Sequence, residues 1–386
     1  MVSRSVYQII KNTKKLFLFL RVVYFLCRSC FVSPNGGRKK YPKVLQLPIT
    51  YRCNSRCVMC NVWRMDHKNE FSVEEFAKFM KDDIFKKVES VGINGGEPSL
   101  VLNLPEYAEK ILNLPSLKYL NIISNGFIPQ RLLLHVQKIY DACKKRGILF
   151  HVSISLDGIG KIHDAVRGRQ NVFEQTIASI DEIIRDQAKY CDSYDVACTV
   201  VKQNVNYLVE LDTYAKRKKY NIKYRLGIEN KRIGNYDLRE QYSVMEAPFR
   251  QSAIEFFHYL MHHSEHLSDR FKYYAIFKWL HSEKPKRILG CYWQEEGITL
   301  DSKGNIYYCA VASDSLGSLR VEKGKKIFFD RKNIEYRKNI VKNVCNHCIH
   351  DYSGRPRFQD VWNFLLYMIK DNVAMKFYRF KARFML

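Results

Sequence analysis

Residues 51–60 read YRCNSRCVMC and place three cysteines, Cys53, Cys57 and Cys60, in one short segment. The segment directly follows a β-type run at 44–50, so we expect it to be a loop at the end of a strand. Three thiolates can hold three irons of a cubane 4Fe-4S cluster and leave the fourth iron open to another ligand. The spacing alone is only suggestive, because a zinc site or a purely structural site also uses cysteines.

Short β-type runs and helical patterns alternate from residue 44 to about residue 230, an arrangement typical of a parallel sheet. The candidate strands lie at 44–50, 91–94, 119–124, 150–155, 196–201 and 222–226. A capping box formed by Ser72 and Glu75 marks the start of the first helix. Six such units predict an α/β fold, a partial (β/α)6 TIM-like barrel, in which the chemistry lies at the C-terminal ends of the strands.

Four further motifs lie at or just beyond the ends of the next expected strands. They are VGINGGEP at 91–98, ISNG at 123–126, SISLDG at 153–158 and HDAVRG at 163–168. Together with the cysteine loop, and in this order, they resemble the motifs of the radical S-adenosylmethionine (SAM) superfamily. The resemblance implies a reducible 4Fe-4S cluster on the three cysteines, with SAM bound beside it.

The resemblance also implies how SAM is held. In the family, the backbone of the glycine-rich motif binds the methionine amino group, and polar side chains after the third strand face the ribose. Arg167 would pair with the methionine carboxylate, a task that suits a guanidinium. The residue before the third cysteine is usually aromatic and touches the adenine, whereas here it is Met59, whose thioether can still contact an aromatic ring. The implied cofactor-binding residues are Met59, Gly95, Gly96, Glu97, Ser124, Asn125, Ser155, Asp157 and Arg167.

A second group of four cysteines follows the barrel: Cys291, Cys309, Cys345 and Cys348. The group resembles the auxiliary-cluster modules called SPASM and twitch. The single-cluster, twitch-like version is the better match, because no cysteine follows Cys348. The resemblance implies a second 4Fe-4S cluster, with zinc or unligated thiols as alternatives, although a zinc ribbon would usually pair two C-x2-C knuckles.

The reaction that the resemblance implies is reductive cleavage of SAM to methionine and a 5′-deoxyadenosyl radical, which abstracts a hydrogen atom from a substrate. A reductant such as flavodoxin or ferredoxin would supply the electron. Four carboxylates lie in the second cysteine module, but loops of basic proteins carry such residues routinely, so no catalytic acid or base is assigned. These carboxylates are Glu295, Glu296, Asp301 and Asp314.

The chain is strongly basic, with 64 Lys and Arg against 39 Asp and Glu and a net charge of +25. Nucleic acid is a disfavoured partner, because the basic excess lies largely at the termini and is not interleaved with aromatics along a groove. The apolar run at 16–26 has about half of the roughly 20 residues that a membrane-spanning helix needs. We expect it to be either an interfacial helix on an anionic membrane or a helix packed on the protein's own surface. The expected location is the cytoplasm, with any membrane contact peripheral at the inner face.

A chain of 386 residues exceeds the usual size of one domain. We expect a basic amphipathic N-terminal segment at 1–43, the partial barrel at 44–230 and a helical connector at 231–287. A small cysteine-rich α+β auxiliary module should follow at 288–352, and a basic amphipathic helix at 353–386.

The sequence leaves the substrate open among small molecules, glycans and peptides. The preferred hypothesis is oxidation or rearrangement of a carbohydrate-like or lipid-linked intermediate, with an electron from the product passing to the auxiliary cluster. Modification of a ribosomal peptide or protein is the alternative. It is weakened because about forty residues before the barrel, without strand alternation, are too few for a winged-helix leader-binding domain. RNA modification is the least favoured reading.

Overall fold

The structure is a computed structural model that describes residues 40–350 and 357–384, with side chains described as far as Asp371. The predicted N-terminal helix therefore lies outside the described residues. In the described part of the chain, no helix combines the length and the apolar character needed to span a bilayer.

Six parallel strands form the barrel part of the sheet: β1 (Val44–Thr50), β2 (Ser90–Gly95), β3 (Tyr119–Ser124), β4 (Leu149–Ser155), β5 (Ser193–Val200) and β6 (Ile222–Leu226). Each pairs with the next one in sequence. The predicted α/β partial barrel is confirmed, and every predicted strand lies within three residues of its expected bounds.

Alternation along each strand explains why the sequence forms a barrel. In β1, Leu47 is fully buried in the core, whereas the preceding residue, Gln46, lines an interior cavity. The same alternation puts Ile122 of β3 in the core and Asn121 at the cavity. Apolar residues thus face the surrounding helices, and polar residues face the lumen.

The barrel helices are α1 (Val73–Phe79), α2 (Leu104–Ile111), α3 (Pro129–Lys144), α4 (Lys161–Arg167), α5 (Phe173–Arg185), α6 (Gln187–Tyr190) and α7 (Leu208–Arg217). Half of the predicted capping box is present, since Ser72 Oγ accepts a hydrogen bond from Glu75 N at 3.2 Å. The carboxylate of Glu75 pairs instead with Arg320, at 2.7 and 2.9 Å.

The remaining elements are α8 (Arg239–Tyr242), α9 (Phe249–His263), α10 (Leu267–His281), β7 (Gly297–Leu300), β8 (Asn305–Tyr307), β9 (Gly317–Ser318), α11 (Gly324–Phe328), α12 (Arg331–Ile340) and α13 (Phe358–Phe384). Strand β7 pairs in parallel with β1, and β8 and β9 continue the sheet in antiparallel fashion. The strands that follow the first cysteine of the second group are therefore an extension of the barrel sheet.

Candidate active site

The three-cysteine loop begins at the C-terminal end of β1 and lies against the end of α4. Arg56 N donates to Arg167 O at 2.9 Å, and Val58 N donates to Val166 O at 3.0 Å. Gly168 follows α4 with a φ of 60°, and a Cβ at this position would lie 2.2 Å from Arg56 O. Glycine is therefore required for the helix end to pack on the loop.

The loop holds its three thiols in a partly buried position. Ser55 Oγ lies 3.0 Å from Cys57 Sγ, and Ser55 N donates to Cys53 Sγ at 3.4 Å. Burial raises the pKa of Cys53 to about 12 and that of Cys60 to about 11. Thiolates here need a compensating cation, and iron binding would displace their protons. Three sulfur donors in one loop fit a 4Fe-4S cluster with one open iron.

The glycine-rich turn after β2 packs on the same loop. Glu97 N donates to Arg52 O at 2.8 Å, and a Cβ on Gly96 would lie only 2.1 Å from that oxygen. The carboxylate of Glu97 is buried and accepts hydrogen bonds from Ser124 Oγ and Asn125 N, both at 2.7 Å. Glu97 therefore ties the end of β2 to the end of β3.

The ends of β3 and β4 complete a polar rim around the loop. Asn125 Nδ2 donates to Asn54 Oδ1 at 2.8 Å and so connects β3 to the cysteine loop. Ser155 is buried at the end of β4. Asp157 is fully buried, and Thr199 N donates to its Oδ1 at 2.7 Å. The structure thus brings the predicted polar residues to the same edge of the sheet as the cysteines.

Arg167 lies beside the loop but already has an anionic neighbour. Its Nε is 2.6 Å from Asp157 Oδ2, and its Nη1 donates to Cys57 Sγ at 3.6 Å. The Asp157 side chain has no exposed surface, and that of Arg167 is 10% exposed. The close pair lacks hydrogen-bond alignment, since neither facing atom has a hydrogen-bond partner. A SAM carboxylate would share this guanidinium with Asp157.

The match to a family model identifies this site. The Radical SAM superfamily model matches residues 47–211, from within β1 into α7. The chain carries a radical SAM domain. The residues that the model spans include the cysteine loop, the glycine-rich turn and the whole polar rim.

The chain is also similar in sequence to curated proteins. The GTP 3′,8-cyclases of Campylobacter jejuni subsp. doylei and Nautilia profundicola are 29% and 26% identical to this chain over 192 and 231 residues. These alignments cover 48% and 55% of this chain and 56% and 68% of the two cyclases. The chain thus spans little more than half the length of the first of these relatives.

Solved structures extend the similarity of fold beyond the radical SAM domain. The structure of anSMEcpe with bound AdoMet superposes with a TM-score of 0.57 at 16% identity and covers 87% of this chain and 100% of that one. Streptococcus suis SuiB bound to S-adenosylmethionine gives a TM-score of 0.54 at 15% identity, over 87% and 74%.

Arg232 is a basic residue of the site that sequence reasoning missed. It lies beyond β6 in a single turn, Lys231–Ile233, with its guanidinium carbon 5.8 Å from the centre of the Tyr51 ring. Its positive charge opposes the effect of burial on the pKa of Cys60. Its Nε and Nη1 are buried without an acceptor among the described residues. A lone arginine in a loop carries no periodic signal, so only the fold reveals it.

Met59 contributes to an apolar cluster next to the radical SAM loop. Its side chain packs against a group formed by Val166, Val201, Leu238 and Tyr242. Although the usual aromatic residue is missing from the loop, Tyr242 thus supplies an aromatic ring to the cluster in which Met59 lies.

The four cysteines of the second group line one small cavity: Cys291, Cys309, Cys345 and Cys348. Burial raises the pKa of Cys309 and that of Cys345 to about 11. Four converging sulfur donors fit a fully ligated 4Fe-4S cluster.

Two arginines that the sequence did not single out also line this second cysteine cavity, Arg287 and Arg337. Arg287 donates to Gly290 O at 2.9 Å and to Cys348 O at 3.2 Å, so it joins the backbone segments of two cysteines. Arg337 is stacked 4.5 Å from the centre of the Tyr308 ring. Both guanidinium groups bring positive charge to a site built for four thiolates.

The carboxylates of the module have structural partners. Asp301 is buried, and its Oδ2 accepts hydrogen bonds from Tyr51 OH and Tyr307 OH, both at 2.9 Å. The other three form ion pairs at the surface, Asp314 with Lys231, Glu295 with Lys40 and Glu296 with Lys43. The structure therefore assigns none of the four as a catalytic base.

A cavity of about 730 Å³ lies inside the barrel and is lined by residues of all six barrel strands. Gln46 Oε1 and Asn94 Oδ1, on β1 and β2, are buried there without a hydrogen-bond partner among the described residues. Arg225 lines the cavity, together with Trp293 of the auxiliary module and with Lys223, whose Nζ pairs with Asp269 Oδ2 at 2.6 Å. The lumen therefore offers hydrogen-bond acceptors, positive charge and an aromatic surface.

A histidine network also lines this cavity. His151 Nδ1 is 2.8 Å from Ser193 Oγ, and its Nε2 is 3.5 Å from Asp195 Oδ2. Ser153 Oγ donates to the other oxygen of Asp195 at 2.5 Å. Burial acts to raise the pKa of Asp195, but interactions with His151 and Ser153 outweigh it and lower that pKa.

Proposed function

We propose that this protein is a radical SAM enzyme that cleaves SAM reductively and abstracts a hydrogen atom from a substrate held in the barrel cavity. The observation that carries the proposal is the meeting of the cysteine loop, the glycine-rich turn and the polar rim at one edge of the sheet. When bound on Cys53, Cys57 and Cys60, the reduced cluster would supply the electron that splits SAM into methionine and a 5′-deoxyadenosyl radical.

The chain's own residues would bind and orient SAM. The backbone at Gly95 and Gly96 would receive the methionine amino group, and Ser124, Asn125 and Ser155 would serve the ribose. Glu97 and Asp157 are already committed to protein hydrogen bonds and an ion pair, so their role would be to fix the rim. A buried rim also excludes water from a reactive radical.

The test is SAM cleavage by the anaerobically reconstituted full chain. With dithionite it should release 5′-deoxyadenosine and methionine, and Cys57→Ala should abolish this release. Cys143→Ala is the matched control, because Cys143 is buried in the core. Iron-loaded wild-type protein that leaves SAM intact would overturn the proposal.

For the substrate, we propose a small, polar, carbohydrate-like molecule that carries an anionic group. The free amide oxygens of Gln46 and Asn94 could accept hydrogen bonds from hydroxyl groups, and Arg225 could pair with a phosphate or carboxylate. Trp293 offers a surface for the apolar face of a sugar ring. The product electron would pass to the cluster on the second cysteine group.

Peptide modification is the second candidate function. It is favoured by the similarity of fold to SuiB, which has been solved bound to precursor peptide SuiA, and to anSMEcpe, solved with Cp18Cys peptide. Uniformly deuterated cell extract, separated into small-molecule and peptide fractions, distinguishes the two. The fraction that transfers deuterium to 5′-deoxyadenosine contains the substrate.

We also propose peripheral contact with an anionic membrane. The described part of α13 exposes Phe358, Trp362, Leu366 and Ile369, which are 40 to 62% accessible. Their spacing of three or four residues puts them on one helical face, which we call the α13 stripe. Basic residues follow the stripe in the sequence, and such a combination suits a lipid headgroup region.

A further inference from the structure

Three side chains of types that can bind metals meet outside both cysteine groups. His258 and His262 lie one turn apart on α9, with ring centres 4.9 Å apart, and residues four apart share a helical face. Asp371 comes from α13, and its Oδ2 lies 2.8 Å from His258 Nε2 and 2.6 Å from His262 Nε2. One donor atom from each of the three side chains lies within 4.8 Å of the others.

We propose that His258, His262 and Asp371 form a binding site for a divalent transition metal of the zinc class, which fastens α13 to α9. Two imidazoles and one carboxylate are a donor set that such ions favour, and three protein ligands leave a position for water. Ligands about 2.1 Å from a tetrahedral ion are about 3.4 Å apart. The carboxylate need therefore withdraw from each imidazole by less than about 1 Å to admit the ion.

The three side chains are partly exposed to solvent, and aromatic rings on α10 and α13 pack beside them. The side chains of His258 and Asp371 are 30% and 20% exposed, whereas that of His262 is 7% exposed. The ring of Phe277, on α10, lies 5.5 Å from the His258 ring and 5.7 Å from the ring of Tyr367 on α13. Aromatic packing thus brings α13 into position, and the open side gives an ion a route from solvent.

The donor set distinguishes this site from the two cysteine groups. Nitrogen and oxygen ligands favour zinc and its neighbours, whereas an all-oxygen site would favour magnesium or calcium. The site uses residues of the connector and of the last helix and none of the cysteines, so its occupancy can be measured separately from that of the clusters. An ion here would hold α13 against the body of the protein and leave the α13 stripe on the exposed side of the helix.

The test measures zinc bound to the full chain after anaerobic assembly of its iron-sulfur sites, so that the cysteines of the two groups are already ligated, and it uses a Cys27→Ser, Cys30→Ser background to remove the C-x2-C pair near the N-terminus. Equilibrium dialysis against Zn²⁺ should give one zinc per chain in addition to iron. Asp371→Asn, which keeps a hydrogen-bond acceptor but removes the charge, should weaken zinc binding more than tenfold. His262→Ala should do the same.

His263→Ala is the matched control, because this neighbouring imidazole donates to Tyr259 O at 2.8 Å and lies outside the cluster. It should bind zinc as the wild type does. Zinc should also raise the melting temperature of the wild type and of His263→Ala, but not that of Asp371→Asn. Absence of stoichiometric zinc, or equal zinc binding by folded Asp371→Asn, would overturn the proposal. The three side chains would then form only a hydrogen-bonded contact between α9 and α13.

Discussion

The two arginines beside the cysteine loop differ in what already surrounds them. Arg167 faces the buried carboxylate of Asp157, whereas Arg232 keeps two buried N–H groups without an acceptor among the described residues. A buried polar group left unsatisfied costs about 1–3 kcal/mol. An anion is therefore expected at Arg232 once the site is filled, and the methionine carboxylate of SAM, which the family resemblance assigns to Arg167, is a candidate for Arg232 as well because Asp157 already faces Arg167.

We expect Arg232→Ala to weaken SAM binding by tenfold or more. A hydrogen bond to a charged group contributes about 1.5–3 kcal/mol, and about 1.4 kcal/mol corresponds to a tenfold change in affinity. The matched control is Arg239→Ala, which removes an exposed arginine that pairs with Glu229. Equilibrium dialysis of SAM with the reconstituted protein measures the effect, and equal affinities would remove Arg232 from the cofactor site.

Arg167→Ala should act on stability as well as on SAM binding. Removing one partner of a buried ion pair leaves an uncompensated charge, here Asp157, at a cost of about 3–5 kcal/mol. Urea denaturation should therefore show a lower free energy of unfolding for Arg167→Ala, with recovery in the double variant Arg167→Ala, Asp157→Asn. Equal unfolding free energies for the wild type and Arg167→Ala would argue against a stabilising pair.

At the residue scale, the sequence predicts sites whose residues lie close together in one segment of the chain. The spacing of Cys53, Cys57 and Cys60 is visible in one segment, and the glycines of the motifs mark close backbone approaches. Arg232 could not be found in this way, because its site depends on a loop after β6 meeting a loop after β1. The same holds for the Arg287 contacts with carbonyls of two cysteine segments.

At the scale of elements, strands were predictable because each is a short run rich in apolar and β-branched residues, and in β3 buried and more exposed residues alternate along the whole strand. The start of α1 was predictable from Ser72, whose hydroxyl accepts a hydrogen bond from Glu75 N in the first turn of the helix. The second half of that capping box failed because Arg320, distant in sequence, offers the carboxylate of Glu75 a bidentate ion pair. Local propensity gives way where the tertiary structure supplies a better partner.

The α13 stripe carries a prediction about membranes. The double variant Trp362→Ser, Ile369→Ser should lose most of its binding to anionic vesicles, because burying each large apolar side chain contributes about 1.5–3 kcal/mol. Co-sedimentation with vesicles measures this. The control, Leu102→Ser with Val321→Ser, removes two other exposed apolar residues, which are 77% and 87% accessible. Equal loss in both variants would indicate a nonspecific effect, and no loss in either would exclude the stripe.

At the scale of the whole molecule, the two cysteine groups predict the iron content. Full reconstitution should give about eight irons per chain, and Cys291→Ala with Cys309→Ala should lower this to about four while SAM cleavage persists. Cys143→Ala with Cys191→Ala, two thiols buried in the core, should keep about eight. Elemental analysis measures both, and stoichiometric zinc in the second cysteine group would contradict the auxiliary cluster.

The sequence did not indicate how the parts would join. Helical connectors such as 231–287 suggest separate units, but β7 enters the barrel sheet beside β1 in parallel register, with Val44 opposite Gly297. Pairing across about 250 residues leaves no trace in local periodicity. Only the fold shows that both cysteine groups are attached to one continuous set of hydrogen-bonded strands.

That pairing also sets a delay during synthesis. A ribosome adding about 5–20 residues per second would need roughly 10–50 s to make the chain between β1 and β7. Throughout that time one edge of β1, with the core residues Leu45 and Leu47, has no strand beside it. Unpaired strand edges invite association between chains. We therefore expect co-expression of chaperones to raise the soluble yield, and a chain that ends before β7 to aggregate.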